Sequence, residues 1–200
     1  MKKFLSHFAS KWYFYILIAV VAVLIWTFVI DGATAPAREE KVELFLTCYS
    51  LKSELNDLAN DNRPEYLRQV KIGAFNENET FYGAYFNSYG SVADIVTLSQ
   101  KFCDMTQCSK YFQPLDEAYI ESRLGDVAFY YYEGKAYGIR IYGKDDKQGM
   151  ASEYIGYTAD NAEPQDYYLF FNKDSMHLGA MKDGSKDDGA LEVIEYLMSL

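Results

Sequence analysis

The chain has 200 residues, with 19 basic and 29 acidic side chains and a formal net charge of −10. Three lysines and no acids precede residue 31, so the remainder holds 16 basic against 29 acidic groups, a net charge near −13. That balance argues against a nucleic-acid-binding surface and against adhesion to anionic lipid. The roughly 160 residues that follow the N-terminal region suffice for one domain with its own core.

Residues 12–30, opened by Trp12 and closed by Ile30, read WYFYILIAVVAVLIWTFVI without a charge. At about 1.5 Å rise per residue such a stretch just crosses a hydrocarbon core of about 30 Å. Lys2, Lys3 and Lys11 precede it and Asp31 closes it. The positive-inside rule therefore predicts residues 1–11 in the cytoplasm, a single transmembrane helix over 12–30 in contact with the lipid bilayer, and an exported remainder. Trp12, Tyr13, Tyr15 and Trp26 suit an aromatic belt. Ala35-Pro36-Ala37 has the small-x-small form of a signal-peptide cleavage site. The apolar run exceeds the usual h-region of about 7–15 residues, which favours an uncleaved anchor.

Residues 31–40 (DGATAPAREE) form a polar linker, and residues 41–200 are the exported domain. Residues 41–49 (KVELFLTCY) predict a first buried strand. Ser50 is placed to cap a helix through about Asn60, with Leu51, Leu55 and Leu58 as its buried face. Residues 66–75 (YLRQVKIGAF) predict a second strand with Leu67, Val70 and Ile72 in the core. Residues 81–89 (FYGAYFNSY) are ambiguous between helix and strand. Residues 93–98 (ADIVTL) predict a third core strand, and 99–114 a loop with a broken helix. Residues 115–123 suggest a helical turn or two.

Residues 126–132 and 135–142 flank Glu133-Gly134, the pattern of a β-hairpin with a two-residue turn. Residues 167–172 (YYLFFN) predict another strand. Residues 190–200 predict a closing amphipathic helix that buries Leu191, Ile194, Leu197 and Met198, capped by Asp187 or Asp188. Strands alternating with helices, plus one hairpin, predict an α/β fold with a mixed, mostly parallel sheet.

Of the three cysteines, Cys103 and Cys108 are a candidate disulfide in an exported domain, and Cys48 sits in an apolar run as a small hydrophobe. Their spacing and the lack of a nearby His argue against a metal site. Asn78-Glu79-Thr80 is a glycosylation sequon. Ser175 and His177 are too close in sequence to face each other as nucleophile and base. No glycine-rich phosphate loop occurs, and residues 183–194 fail the EF-hand pattern at its sixth and twelfth positions. Nothing singles out a catalytic carboxylate pair, and neither a cofactor nor catalysis is expected. The 19 Tyr and 13 Phe are the compositional oddity. Tyr either fills half-buried strand positions or offers the flat face and polar tip of a sugar- or peptide-binding cleft.

Several segments, in order, resemble the extracytoplasmic solute-binding proteins of ABC importers, the periplasmic-binding-protein type II group. They are KVELFLTCYS running directly into a helix; Gly90-Ser91-Val92-Ala93-Asp94-Ile95-Val96; Phe112-Gln113-Pro114-Leu115-Asp116-Glu117; Gly134-Lys135-Ala136-Tyr137-Gly138-Ile139; and residues 190–200. Members usually have two lobes and about twice this length, and the position after Tyr-Gly-Ile that is often Pro is Arg140 here. The resemblance implies a single-lobe, membrane-anchored relative. It also implies a non-catalytic binding domain for a small-molecule, sugar or peptide ligand. The alternative is an interaction subunit that docks on a transporter or another envelope protein.

In sheets of this kind ligands lie at the carboxyl ends of the parallel strands. That rule selects Tyr49 and Ser50 after the first strand, Ser99 and Gln100 after the third, and Ser88 and Tyr89 before it. Tyr137 matches the family's Tyr-Gly strand.

Overall fold

The computed structural model describes residues 2–76, 82–159, 162–175 and 188–200. It divides into two units, Met1–Ala37 and Arg38–Leu200.

The first unit is helix α1 (Lys2–Thr34), kinked at Lys11, whose φ of −126° and ψ of 19° leave the helical region. The 24 residues Lys11–Thr34 have a mean hydropathy of 2.6 in their most apolar window, long and apolar enough to cross a membrane. The helix runs one turn past Ile30. A helix suits hydrocarbon because every mid-segment backbone group is satisfied within the segment. The Thr27 and Thr34 hydroxyls donate back to the carbonyls of Val23 (2.9 Å) and Ile30 (2.7 Å), so neither needs water.

The second unit begins with a 3₁₀ turn, Arg38–Glu40, that the linker expectation had left outside the domain. Its elements follow as β1 (Lys41–Thr47), β2 (Ser50–Leu51), α2 (Glu54–Asp61), β3 (Gln69–Phe75) and α3 (Tyr82–Tyr85), the last running into a π turn at Phe86–Gly90. Next come β4 (Ile95–Ser99), α4 (Gln100–Met105), α5 (Cys108–Tyr111), α6 (Glu117–Leu124), β5 (Phe129–Tyr132) and β6 (Lys135–Tyr142). β7 (Ile155–Gly156), β8 (Tyr167–Phe171) and α7 (Gly189–Met198) complete the chain.

The main sheet has six strands in the order β3-β1-β4-β8-β6-β5. β1 lies parallel to β3 and β4, while β8 is antiparallel to β4 and β6, and β5 to β6. Four strands therefore share one direction, and β8 and β5 run against them. The sheet is mixed, as expected, but the reversed strand β8 is central and all five of its residues are buried.

Alternation along the strands sorts side chains onto two faces. Val42, Leu44 and Leu46 of β1, Ile139 and Ile141 of β6, and Leu169 and Phe171 of β8 pack with Leu55 of α2, Ile120 of α6 and Leu191, Ile194 and Leu197 of α7. Phe45, Val96, Leu98, Tyr168 and Phe170 pack on the other face with Tyr82, Cys103, Cys108 and Phe112. Gly138 is required by this second face. A Cβ there would come within 2.8 Å of the Phe170 ring, which stacks on Phe112 at 4.6 Å.

The hairpin turns as expected at Glu133-Gly134, with φ of 49° and 77°. Both are positive, as a type I′ turn demands. The ambiguous segment at 81–89 is helical where described. Ser50 is not a helix cap. It pairs with Gly156 in a separate two-stranded sheet, and α2 starts only at Glu54. Main-chain bonds from Tyr49 N to the Gly156 carbonyl (2.8 Å) and from Lys52 N to the Tyr154 carbonyl (3.0 Å) hold this stretch extended against its local capping tendency. Asp188 stands at the N-cap position of α7, but its carboxylate accepts from Tyr119 (2.6 Å) and Arg123 (3.2 Å) instead of helix amides.

The three cysteines are buried, and Cys103 and Cys108 share the second core cluster with no disulfide between them. The sequon Asn78-Glu79-Thr80, His177 and Asp183–Asp187 lie outside the described residues. Ser175 donates to Asp94 Oδ1 at 3.1 Å.

Asp94 is fully buried and pairs with Arg38. Its carboxylate accepts from two Arg38 nitrogens (2.9 and 3.1 Å), from Glu43 N (2.9 Å) and from Ser175. Removing one partner of a buried pair leaves a charge without compensation and costs about 3–5 kcal/mol. Asp94→Ala should therefore lower the Tm of the full-length protein in detergent micelles, followed by near-UV circular dichroism, by on the order of 10 °C. Arg38→Ala should lower it by a comparable amount, because it leaves the fully buried Asp94 carboxylate without its cation. A change below about 1 °C for Asp94→Ala would contradict this.

Burial alone would raise the Glu43 carboxyl pKa, but the Lys41 hydrogen bond and the charges of Lys41, Lys71 and Arg38 outweigh it and hold it below the ordinary value. A depressed folded pKa contributes stability that is complete above the unfolded value and is lost as pH falls through the folded one. Stability should thus decline on acidification below about pH 4.5. Glu43→Gln should flatten that limb in urea titrations.

Burial pushes the Cys48 thiol up to about 12 and is the main cause that takes Cys108 to about 11. Thiolate is the reactive form. Iodoacetamide at pH 8 should leave all three thiols unmodified until denaturant is added, as counted by intact-mass spectrometry. Alkylation of Cys108 in the native protein would contradict its placement.

Candidate functional site

Three strands deliver their ends to one cleft. β1 ends into Thr47, Cys48 and Tyr49, β3 into Asn76, and β4 runs directly into α4, which supplies Lys101 and Phe102. Because β8 is antiparallel, its first residue, Tyr167, pairs with Ser99 and arrives at the same end. The chain leading to it brings Tyr157, Thr158, Ala159, Ala162, Glu163 and Gln165 as the opposite wall. The cleft holds about 150 Å³.

Its inner wall is tyrosine. Tyr157 stacks on Tyr142 at 4.5 Å and tilts against Tyr167 at 5.2 Å. The Tyr167 hydroxyl donates to the Tyr157 carbonyl (2.7 Å), and the Tyr157 hydroxyl to that of Met150 (2.8 Å). Each ring therefore buries its face and satisfies its tip. Burial raises the Tyr157 hydroxyl well above its usual range, so it stays protonated. Thr47 is held by Tyr82, oxygen to oxygen at 2.9 Å, and its amide donates to Thr97 Oγ1 at 2.7 Å. The two walls are tied by Lys101 N donating to Gln165 Oε1 (3.3 Å) and Gln100 N to the Asp166 carbonyl (2.8 Å).

Against this frame, the Thr158 Oγ1 is buried without a hydrogen-bond partner among the described residues. An unmet buried hydroxyl costs about 1–3 kcal/mol, so its position on a cleft wall suits an incoming polar group. Lys101 and Glu163 are exposed at the rim, and neither side chain has a counter-ion among the described residues. Cys48 lines the cleft as a protonated thiol and is unsuited to nucleophilic attack. Among the described residues no group of three or more His, Cys, Asp or Glu could hold a metal ion.

The residues selected from sequence divide. Tyr49, 54% exposed, lines the cleft. Gln100 lines an adjoining depression shared with Lys101, Glu163 and Gln165. Ser50 lies in β2 against Gly156. Ser99 and Tyr137 are core residues, the latter edge-on to Tyr132 at 6.1 Å. Ser88 is exposed in the π turn, and Tyr89 stacks on Phe75 in a different groove, with Gly73 and Lys71. The carboxyl-end rule extended to β3 reaches Asn76, and one residue beyond Gln100 reaches Lys101. No sequence signal points to Thr158, Glu163 or Gln165, which enter only through the reversed path of β8.

No protein-family model and no curated protein matches the chain. One solved structure, a eukaryotic thiaminase-I bound to the thiamin analogue 3-deazathiamin, aligns at 18% identity and a TM-score of 0.35. The alignment covers 52% of this chain and spans about a third (32%) of that one. At that level of similarity it carries no argument about this chain.

Proposed function

We propose that the protein is a membrane-anchored, non-catalytic binding domain that takes a small polar ligand in the cleft at the carboxyl ends of β1, β3 and β4. The carrying observation is the cleft itself, with a tyrosine wall, a Thr158 hydroxyl that has no hydrogen-bond partner among the described residues, and Lys101 and Glu163 at its rim. Ligand sites in open α/β sheets favour this end. Lys2, Lys3 and Lys11, ahead of the apolar run of α1, support an exported domain. The high Cys48 pKa, and the engagement of Ser175 by Asp94, support binding without covalent chemistry. A second reading, docking on another membrane protein, is favoured by the groove beside β3, where Tyr89 and Val92 are each 56% exposed.

The test is thermal unfolding of the full-length protein in detergent micelles with amino acids, short peptides, mono- and oligosaccharides, nucleosides and divalent ions. A ligand at about 100 times its Kd adds about 2.7 kcal/mol. For a chain of this size that is a Tm rise of about 5–10 °C. Ala162→Trp, which fills the cleft from an exposed position, should abolish the rise without moving the unliganded Tm. A flat response to every class would overturn the binding reading in favour of docking.

A further inference from the structure

We propose that Asn56 and Asn60 of α2 act as a substitute strand, closing the β3 edge of the main sheet against pairing with a second copy of this chain. The proposal is independent of any ligand in the cleft.

The main sheet has two edges, β3 and β5. An edge strand presents main-chain N–H and C=O groups that another chain can pair with. β5 is a poor template for this. It has four residues, and its register shifts between Tyr130 and Tyr131. β3 is the long edge, with seven residues held against β1 in unbroken register. A β3-to-β3 contact between two copies is isologous, so one strand supplies both halves of the pairing. A second copy is therefore the occupant this edge invites.

α2 stands in its way. The Phe75 carbonyl accepts from Cys48 N (3.0 Å), toward the β1 side. Alternation along the strand turns the main chain of Val70 and Ile72 to the open side. There Asn60 Oδ1 accepts from Val70 N (2.9 Å) and Asn60 Nδ2 donates to the Val70 carbonyl (2.7 Å). That is the donor and acceptor pair a neighbouring strand would supply. Asn56 Oδ1 accepts from Ile72 N at 3.3 Å. Asn60 Nδ2 also donates to the Asn56 carbonyl (2.7 Å), which fixes the orientation of its amide.

The spacing explains why two asparagines suffice. Residues 56 and 60 are separated by about 6 Å along a helix, and residues 70 and 72 by about 6.6 Å along a strand. One helical turn thus matches one outward repeat of the strand. Asn is a weak helix former, and the core face of α2 is supplied by Leu55 and Ala59, so helix propensity and packing do not account for it at both positions. Ala74, the next outward residue, is by itself too short a stretch to seat a strand.

The experiment compares the full-length protein in detergent micelles with its Asn56→Ala/Asn60→Ala variant. Light scattering after chromatography reads the protein mass per micelle, and residue-resolved hydrogen exchange reads the edge. In the wild type the Val70 and Ile72 amides should be protected, with a mass that does not change with concentration. In dilute variant both amides should exchange about tenfold faster, as expected for a lost hydrogen bond. Concentrating the variant should double the protein mass and restore protection over residues 69–75. Unchanged exchange in the variant would overturn the proposal. So would faster exchange with no association at any concentration, because the edge would then need no seal. Association that leaves residues 69–75 exchanging freely would run through another surface and overturn it too. Should the double variant lose its near-UV circular dichroism, the single variants decide. Asn60→Ala should quicken exchange at Val70 and Asn56→Ala at Ile72, and single variants without those changes would overturn the assignment.

Discussion

One buried carboxylate organises the second unit. Asp94 precedes β4, is fully buried, and collects Arg38, the Glu43 amide and Ser175 around its oxygens. Its backbone is used as well: its amide donates to the Glu43 carbonyl and its carbonyl accepts from Asn172 N. Asn172 in turn donates its side-chain amide to the carbonyls of Gly90 and Ala93, both at 3.0 Å. The start of β4, the start of β1 and the end of β8 are thereby joined through one group. A charge is tolerated there only because each of its lone pairs has a donor.

This clamp and the cleft occupy opposite ends of the same strands. β4 leaves Asp94 and reaches Ser99, and β8 enters at Tyr167 and finishes beside Asp94 at Asn172. Five strand residues at about 3.3 Å each separate the two ends by roughly 17 Å. Tight polar satisfaction at one end positions the strands. At the other end the strands stop, α4 turns away, and the chain approaching β8 closes the wall. The unsatisfied Thr158 hydroxyl falls at that second end, in contrast to the fully engaged groups around Asp94.

The aromatic load serves the core before it serves any site. Phe45, Phe112 and Phe170 fill one face, while Tyr142, Tyr157 and Tyr167 stack on the other with their hydroxyls directed to main-chain oxygens where bonded. Tyr is useful in both places for one reason: its ring gains from burial and its hydroxyl finds a carbonyl when water is excluded. Tyr49 is the exception among the cleft tyrosines in being mostly exposed, and composition alone had no means to separate it from the others.

The sequence by itself determined the apolar helix near the N-terminus, the strands of β1, β4 and β8, the hairpin and the closing helix. These follow from local physics: an uncharged run, period-two burial, two residues that accept positive φ, and an amphipathic stripe. It also drew attention to Ala93-Asp94-Ile95-Val96, although only the structure supplies the reason for the acid. Tertiary structure alone decided that Ser50 joins a strand instead of capping a helix, that β8 runs backward through the middle of the sheet, and that Thr158, Glu163 and Gln165 face Lys101. Each of those outcomes depends on contacts between residues far apart in the chain. Such pairings are chosen by burial and hydrogen-bond satisfaction across the whole domain, and no window of local sequence contains them.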